Sequence, residues 1–280
     1  MFDSLPGCVT VFTGFGKGSG KTTFFGAAAV EAQKAGPVGI FTIGFDGSGG
    51  SGEKSPTIKV APGDIVITTV PLARAAGARL EIIEALPGRS AIGPLCIGRA
   101  ARGGAVALAG PEHLSQLASA IDFIRKNGLV NSVLIDGAKG RITHIGALPG
   151  SQFIYCAQAD PATLRRVAEN IEMISKLAEL PLSPPDGGGQ LHIEGPLTAS
   201  TIETVPKGIA HISIEMLSDC FLDPAAFNRA LRRFHITVRR QVSLLGFAVA
   251  LKNIKRETFL SAVPSASPRI FFNPFESGAA

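Results

Sequence analysis

From residue 8 to residue 25 the chain runs from an apolar segment through glycines into a polar turn and out again. Val9, Val11 and Phe12 come first, then Gly14, Gly16, Gly18 and Gly20, then Lys21-Thr22-Thr23-Phe24-Phe25. That order predicts a buried strand, a loop whose backbone N–H groups turn inward without side-chain clash, and a helix. Ala27, Ala28, Ala29 and Ala32 favour the helix, and Gly36-Pro37 stops it. Residues 38–43 read as a second buried strand, which predicts a parallel, right-handed βαβ start. Its end runs into Gly44-Phe45-Asp46-Gly47 and a Gly/Ser run reaching Gly52, a loop expected to act as a lid or switch.

Short β-type runs follow at 57–60, 64–70, 80–85, 94–99 and 105–109. With no helix of any length between them, they predict an antiparallel extension rather than parallel crossovers. Residues 111–127 carry Leu114, Leu117, Ala118, Ile121 and Ile124 at helical spacing and end at Asn127-Gly128. Residues 132–136, Ser-Val-Leu-Ile-Asp, form an apolar strand that ends in a carboxylate. A strand at 153–157 and a helix from Asp160-Pro161 to about residue 180 come next. The Pro- and Gly-rich stretch 181–189 is the best boundary in the chain. Beyond it, strands fit 190–194, 209–214, 242–251 and 269–272, with helices at 224–234 and 255–262. The predicted fold is α/β: a mainly parallel sheet flanked by helices, an antiparallel β extension, and a smaller C-terminal α/β part. The expected division is 1–183 and 184–280.

Composition narrows the function classes. The chain of 280 residues is 45% hydrophobic, yet no apolar stretch is long enough to span a membrane. MFDSLPG carries no basic cluster ahead of an apolar segment, so no signal or transit peptide is expected, and the cytoplasm is the expected compartment. A net charge of +5 is mild for a nucleic-acid binder. The one basic knot, Arg229, Arg232, Arg233, Arg239 and Arg240, has no interleaved aromatics for base stacking. No nucleic-acid partner is therefore expected. Cys8, Cys96, Cys156 and Cys220 are scattered, and no histidine pair stands at metal-ligand spacing, so reduced thiols and no zinc are expected.

What remains is phosphate chemistry. A glycine-rich loop between strand and helix is an anion nest, and the helix adds unpaired N–H groups and a positive dipole end. Lys21 would neutralise phosphate charge and Thr22 would offer its hydroxyl to Mg²⁺, with Gly14, Gly16, Lys17, Gly18, Ser19, Gly20 and Thr23 completing the cradle. The usual spacing G-x-x-x-x-G-K-[ST] would place its first glycine at Phe15; Gly14 lies six residues before Gly20, so the loop is one residue longer. The deviant form with a second catalytic lysine would place that lysine at Gly16, so Lys17 is given no such role. Asp136 stands 115 residues after Lys21, at the tip of an apolar strand, where a hard divalent ion favours carboxylate oxygen. Asp46 falls on the same predicted rim, either as a further Mg²⁺ ligand or as a turn-forming Asp-Gly pair. Lys139 and Arg141, and Arg99 and Arg102, are either anion contacts or solvated side chains.

The longer loop is the form found in relatives of dethiobiotin synthetase and the cobyrinic acid amide synthases. Further motifs at 20–23, 43–49, 61–63, 109–111 and 133–138, taken in order, resemble the ATPase-like subunit of the reactivase for lysine 5,6-aminomutase and D-ornithine 4,5-aminomutase, within the dethiobiotin synthetase-like P-loop NTPases. The likeness covers most of residues 8–160, and Phe272-Asn273-Pro274 matches the family's ending. Gly16, Lys17 and Gly18 make this loop richer in glycine than the family pattern. The resemblance implies a chaperone-like ATPase, using ATP and Mg²⁺, that works with a second reactivase subunit to release damaged cobalamin from a cobalamin-dependent aminomutase. A homo-oligomer is left open.

Three readings stay in view. One is the reactivation factor, with a C-terminal half free of catalytic groups and suited to docking. Another is a small-molecule ligase or kinase of the dethiobiotin or cobyrinic acid type, for which Lys139 and Arg141 are the near substrate contacts. The third is a nucleotide-binding module that does not hydrolyse. No N-K-x-D element points to GTP, and no evident base or arginine finger supports fast hydrolysis.

Overall fold

The computed structural model describes residues 2–14, 19–44, 57–90, 92–137, 148, 150–184, 189–266 and 269–272. Its centre is a nine-stranded sheet. The first five strands along the chain are β1 (Val9–Gly14), β2 (Val38–Thr42), β3 (Thr57–Val60), β4 (Ile65–Thr69) and β5 (Arg79–Ser90). Then come β6 (Gly93–Arg102), β7 (Gly104–Ala107), β8 (Ser132–Asp136) and β9 (Gln152–Ala159). The C-terminal part adds β10 (Leu191–His192), β11 (His211–Ile214), β12 (His235–Val238), β13 (Ser243–Leu251) and β14 (Ile270–Phe272). The helices are α1 (Lys21–Gln33), α2 (Val70–Ala75), α3 (Leu114–Lys126), α4 (Leu164–Ala178), α5 (Ala199–Glu203), α6 (Pro224–Arg233) and α7 (Arg256–Ala262).

Strand order in the large sheet is β14-β13-β9-β1-β8-β2-β4-β6-β5. It is parallel from β14 through β4, and β6 and β5 close it as an antiparallel pair. The α/β class and an antiparallel part stand as the pattern predicts, but the run at 64–70 gives β4, which pairs parallel with β2, and β3 and β7 form a separate two-stranded antiparallel sheet. β1 and β2 are parallel but not neighbours, because β8 lies between them. The central parallel strands are buried on both faces, which is why they read as continuous apolar runs.

Each face of the sheet has its own core. On one, Phe12, Ile40, Leu134, Ile154 and Cys156 meet Phe24, Phe25, Ala28, Ala29 and Ala32 of α1. The alanines bring the helix close to the strands, and Phe12 and Phe25 pack edge to face with centroids 5.3 Å apart. On the other face, Val9, Val11, Val133, Ile135, Phe153 and Tyr155 meet α3 and α4. This second core continues into a small parallel sheet, β10-β11-β12. The chain then returns, and β13 pairs with β9 along its length. Strands on both sides of the expected 183/184 division therefore share one sheet.

The opposite end of the sheet from α1's start is fixed by Asp64. Its buried carboxylate accepts from Val38 N (2.9 Å), Ala61 N (2.7 Å) and Gln33 Nε2 (2.6 Å). Burial raises its pKa above the ordinary carboxylate value, against the pull of those donors.

Candidate functional site

β1 ends where side chains no longer fit. A Cβ on Gly14 would lie 2.6 Å from the carbonyl oxygen of Cys156 and 2.8 Å from Ser19 Oγ, so the chain leaves β1 against β9 only as glycine. Gly16, Lys17 and Gly18 lie outside the described residues. Ser19 is buried where the chain re-enters. Gly20 follows with φ 75° and ψ 3°, a left-handed conformation that suits glycine. A Cβ there would approach Ala250 of β13 to 3.3 Å. The last long strand of the sheet therefore abuts the start of α1.

α1 begins at Lys21 with no side chain capping its first turn, so none competes with a ligand for the N–H groups there. Thr22 and Thr23 are exposed on that turn. The Lys21 side chain turns back over the sheet edge. Its Nζ lies 2.7 Å from Asp136 Oδ1 and also donates to the carbonyl of Gly137. The two side chains are 17% and 24% exposed, so the pair is shielded yet reachable from solvent.

Asp136 is placed by its neighbours on both sides. β8 runs parallel to β1 with Phe12 opposite Asp136, and parallel to β2 with Thr42 opposite Asp136. The Asp136 carbonyl accepts from Thr42 Oγ1 and from Ile43 N, each at 3.2 Å. Gly137 N donates to the Phe12 carbonyl at 2.9 Å, and a Cβ on Gly137 would stand 2.8 Å from that oxygen. Gly137 and Thr42 are thus positioning residues that sequence reasoning passed over. The glycine after the strand-end Asp was the legible signal for the first, while nothing in the local pattern marks Thr42.

The rim continues to the end of β2. Gly44 (φ 71°) donates its N–H to the Pro111 carbonyl and accepts from Gly110 N, both at 2.9 Å. Gly110 crosses so close that a Cβ would fall 1.7 Å from the Thr42 carbonyl oxygen. The Ala109-Gly110-Pro111 motif therefore clamps the chain just after β2. Asp46 itself, with Lys139 and Arg141, lies outside the described residues. Arg99 and Arg102 do not join the site. β6 is antiparallel, and Arg99 pairs with Ile65 at the start of β4, the sheet edge away from Lys21.

Cys156 lies against Gly14, fully buried. Burial pushes its thiol pKa up; nearby Lys21 opposes this and Asp136 adds to it. A raised pKa favours the protonated thiol. Among the described residues no group of three or more His, Cys, Asp or Glu side chains is arranged to hold a metal, and the cysteines are free. No described helix is long and apolar enough to cross a membrane.

The donor set nonetheless suits a Mg²⁺–phosphate ligand. The start of α1 is uncapped, Thr22 is exposed on its first turn, and Lys21 meets the Asp136 carboxylate at the strand tip. Strand β1, the Lys21-Thr22 start of α1 and the Asp136 carboxylate on the adjacent parallel strand thus stand at one edge of the sheet. No protein-family model matches the chain, and no curated protein matches it. Among solved structures, a chain of the MinC:MinD cell division protein complex of Aquifex aeolicus is similar at 12% identity. The match covers 94% of this chain and 92% of that one, with a TM-score of 0.33. So distant a likeness carries no argument.

Proposed function

We propose that this protein binds ATP with Mg²⁺ and uses the bound nucleotide to act on a protein partner, as a reactivation factor for an adenosylcobalamin-dependent aminomutase. The nucleotide half of the reading is carried by one observation: Lys21, at the uncapped start of α1, meets Asp136 at the tip of the neighbouring strand. In this reading Lys21 neutralises the β- and γ-phosphates. Thr22 and Asp136 hold Mg²⁺, with Asp46 as a further ligand. Residues Gly14, Gly16, Lys17, Gly18, Ser19, Gly20 and Thr23 form the cradle. Bound Mg²⁺ would supply charge neutralisation at the phosphates.

The partner half is supported by the ordered motifs that resemble the aminomutase reactivase subunit. A cytoplasmic setting and a second reactivase subunit belong to the same reading. The test uses the immobilised full chain with a purified cobalamin-dependent aminomutase carrying an inactivated cobalamin, with and without the companion subunit, in Mg-ATP and in buffer. Retention of the aminomutase and release of cobalamin should both depend on ATP and be lost in Lys21→Ala. If ATP binds but neither retention nor release changes with it, the reactivase role fails and the nucleotide site stands.

A further inference from the structure

We infer that His211 and His235 form a two-imidazole clamp for a single divalent transition-metal ion, on the small sheet and apart from the nucleotide rim. The chain repeats a quartet, His-Ile-Ser-Ile at 211–214 and His-Ile-Thr-Val at 235–238. The fold lays one beside the other as β11 and β12, parallel and in register, so that His211 stands opposite His235 and Ser213 opposite Thr237. His235 N donates to the Ala210 carbonyl at 2.8 Å, which fixes that register at the strand starts. Strand alternation sends Ile212, Ile214, Ile236 and Val238 into the core and turns both histidines to the other face.

The neighbouring polar side chains on that face are already engaged. Ser213 Oγ lies 3.2 Å from His192 Nδ1, and Thr237 Oγ1 lies 2.6 Å from Gln190 Oε1 and 2.8 Å from Ser183 Oγ. His211 and His235 differ. Both are exposed, and their ring nitrogens make no hydrogen bond among the described residues. The two rings meet with centroids 5.4 Å apart and planes at 64°. For rings that point at one ion through nitrogens about 2.0–2.1 Å away, a near-tetrahedral angle puts the centroids about 5 Å apart. The spacing therefore suits one shared ion, with only side-chain rotation needed to aim the nitrogens. Among the described residues no third His, Cys, Asp or Glu joins the pair, so water fills the other positions and the ion is held open, unlike a structural zinc closed by four protein ligands. An imidazole pair suits Ni²⁺, Cu²⁺ or Zn²⁺ and not Mg²⁺, which takes oxygen ligands.

Once one imidazole holds the ion, the second acts as an intramolecular ligand, so the pair binds far more tightly than a single histidine. The test titrates Ni²⁺ into the untagged full chain in excess Mg²⁺, which fills oxygen sites such as the one proposed at Asp136. Wild type is compared with His211→Ala, His235→Ala and the double variant. His113→Ala, at an exposed histidine before α3, is the control. Calorimetry should give an affinity at least about tenfold lower in each single variant, and no comparable further loss in the double variant, because either change alone abolishes the chelate. His113→Ala should match wild type. In an amide-resolved NMR titration, paramagnetic broadening should begin at residues 210–212 and 234–236. Thermal melts should stay at the wild-type value, since both side chains are exposed. Equal affinity in wild type and the single variants, broadening centred on other elements, or no Ni²⁺ binding by wild type would overturn the clamp, and each of these leaves the nucleotide reading untouched.

Discussion

Lys21→Ala should bind Mg-ATP at least about a hundredfold more weakly than wild type, and it should do so while remaining folded. The ammonium group is the one described cation at the helix start, and a charge-assisted contact to phosphate is worth about 1.5–3 kcal/mol. Truncation also leaves the partner phosphates unpaired in a shielded site, which brings the expected loss to about 3 kcal/mol, or roughly a hundredfold. Stability should fall as well, because the pair is shielded and truncation takes Lys21 from the Asp136 carboxylate. Calorimetric titration alongside a thermal melt separates the two effects. Lys21→Arg keeps the charge but replaces a compact ammonium with a wide planar fork, so it should fall between wild type and Ala. Unchanged affinity in Lys21→Ala would remove this lysine from the phosphate site.

Gly110→Ala should produce the largest loss of stability of any single methyl addition on the nucleotide rim. The new Cβ would lie 1.7 Å from the Thr42 carbonyl oxygen and 2.6 Å from its carbon, both backbone atoms that no rotamer change can move. The segments must part, which strains the bonds linking Gly44 to Gly110 and Pro111. Overpacking costs about 1–3 kcal/mol and each weakened hydrogen bond about 1 kcal/mol, so about 3–5 kcal/mol is expected. At this length that lowers Tm by roughly 10 °C. Gly26→Ala is the control. It sits within α1, where a Cβ meets nothing within 4 Å, and alanine is the better helix former by about 1 kcal/mol. Scanning calorimetry should move the two variants in opposite directions. Equal melting temperatures would mean that residues 109–111 do not clamp the end of β2.

Parts of this architecture were legible because local pattern and tertiary role agree. β1 and β8 are buried on both faces, so their apolar runs are unbroken, and the glycine loop with Lys21 announces itself by composition. The antiparallel β5–β6 extension was legible because no helix separates its strands. Other features depend on contacts distant in sequence. That β8 inserts between β1 and β2 is decided by packing partners about a hundred residues apart, so the βαβ pattern could not reveal it. The pattern gives a strand to residue 70 and no helix after it, so α2 goes unmarked. It has six residues, and only the Thr69 hydroxyl accepting from Leu72 N and Pro at its start separate helix from strand there. β12 and α5 are as short and went unpredicted. The stretch 181–189 carries the Pro and Gly of a boundary, but composition marks only that the chain turns. It does not mark that β13 comes back to pair with β9 and to set Ala250 against Gly20.

The site was legible in its residue types and less so in its wiring. Lys21 and Asp136 were paired by motif logic, and the geometry joins them directly. The supports of that pair, Thr42, Gly137 and Gly110, act through backbone oxygens. Side-chain chemistry does not announce such roles, although each glycine was visible as a residue beside a motif.

The central claim is that nucleotide phosphate settles at the start of α1 against Lys21. The most direct measurement is an amide-resolved NMR titration of wild type with ATP and Mg²⁺. The account predicts that the largest shifts fall on Gly20, Lys21, Thr22 and Thr23, with Gly14, Asp136 and Gly137 following at the same ATP concentration. Shifts confined to other elements, or none at saturating ATP and Mg²⁺, would contradict it.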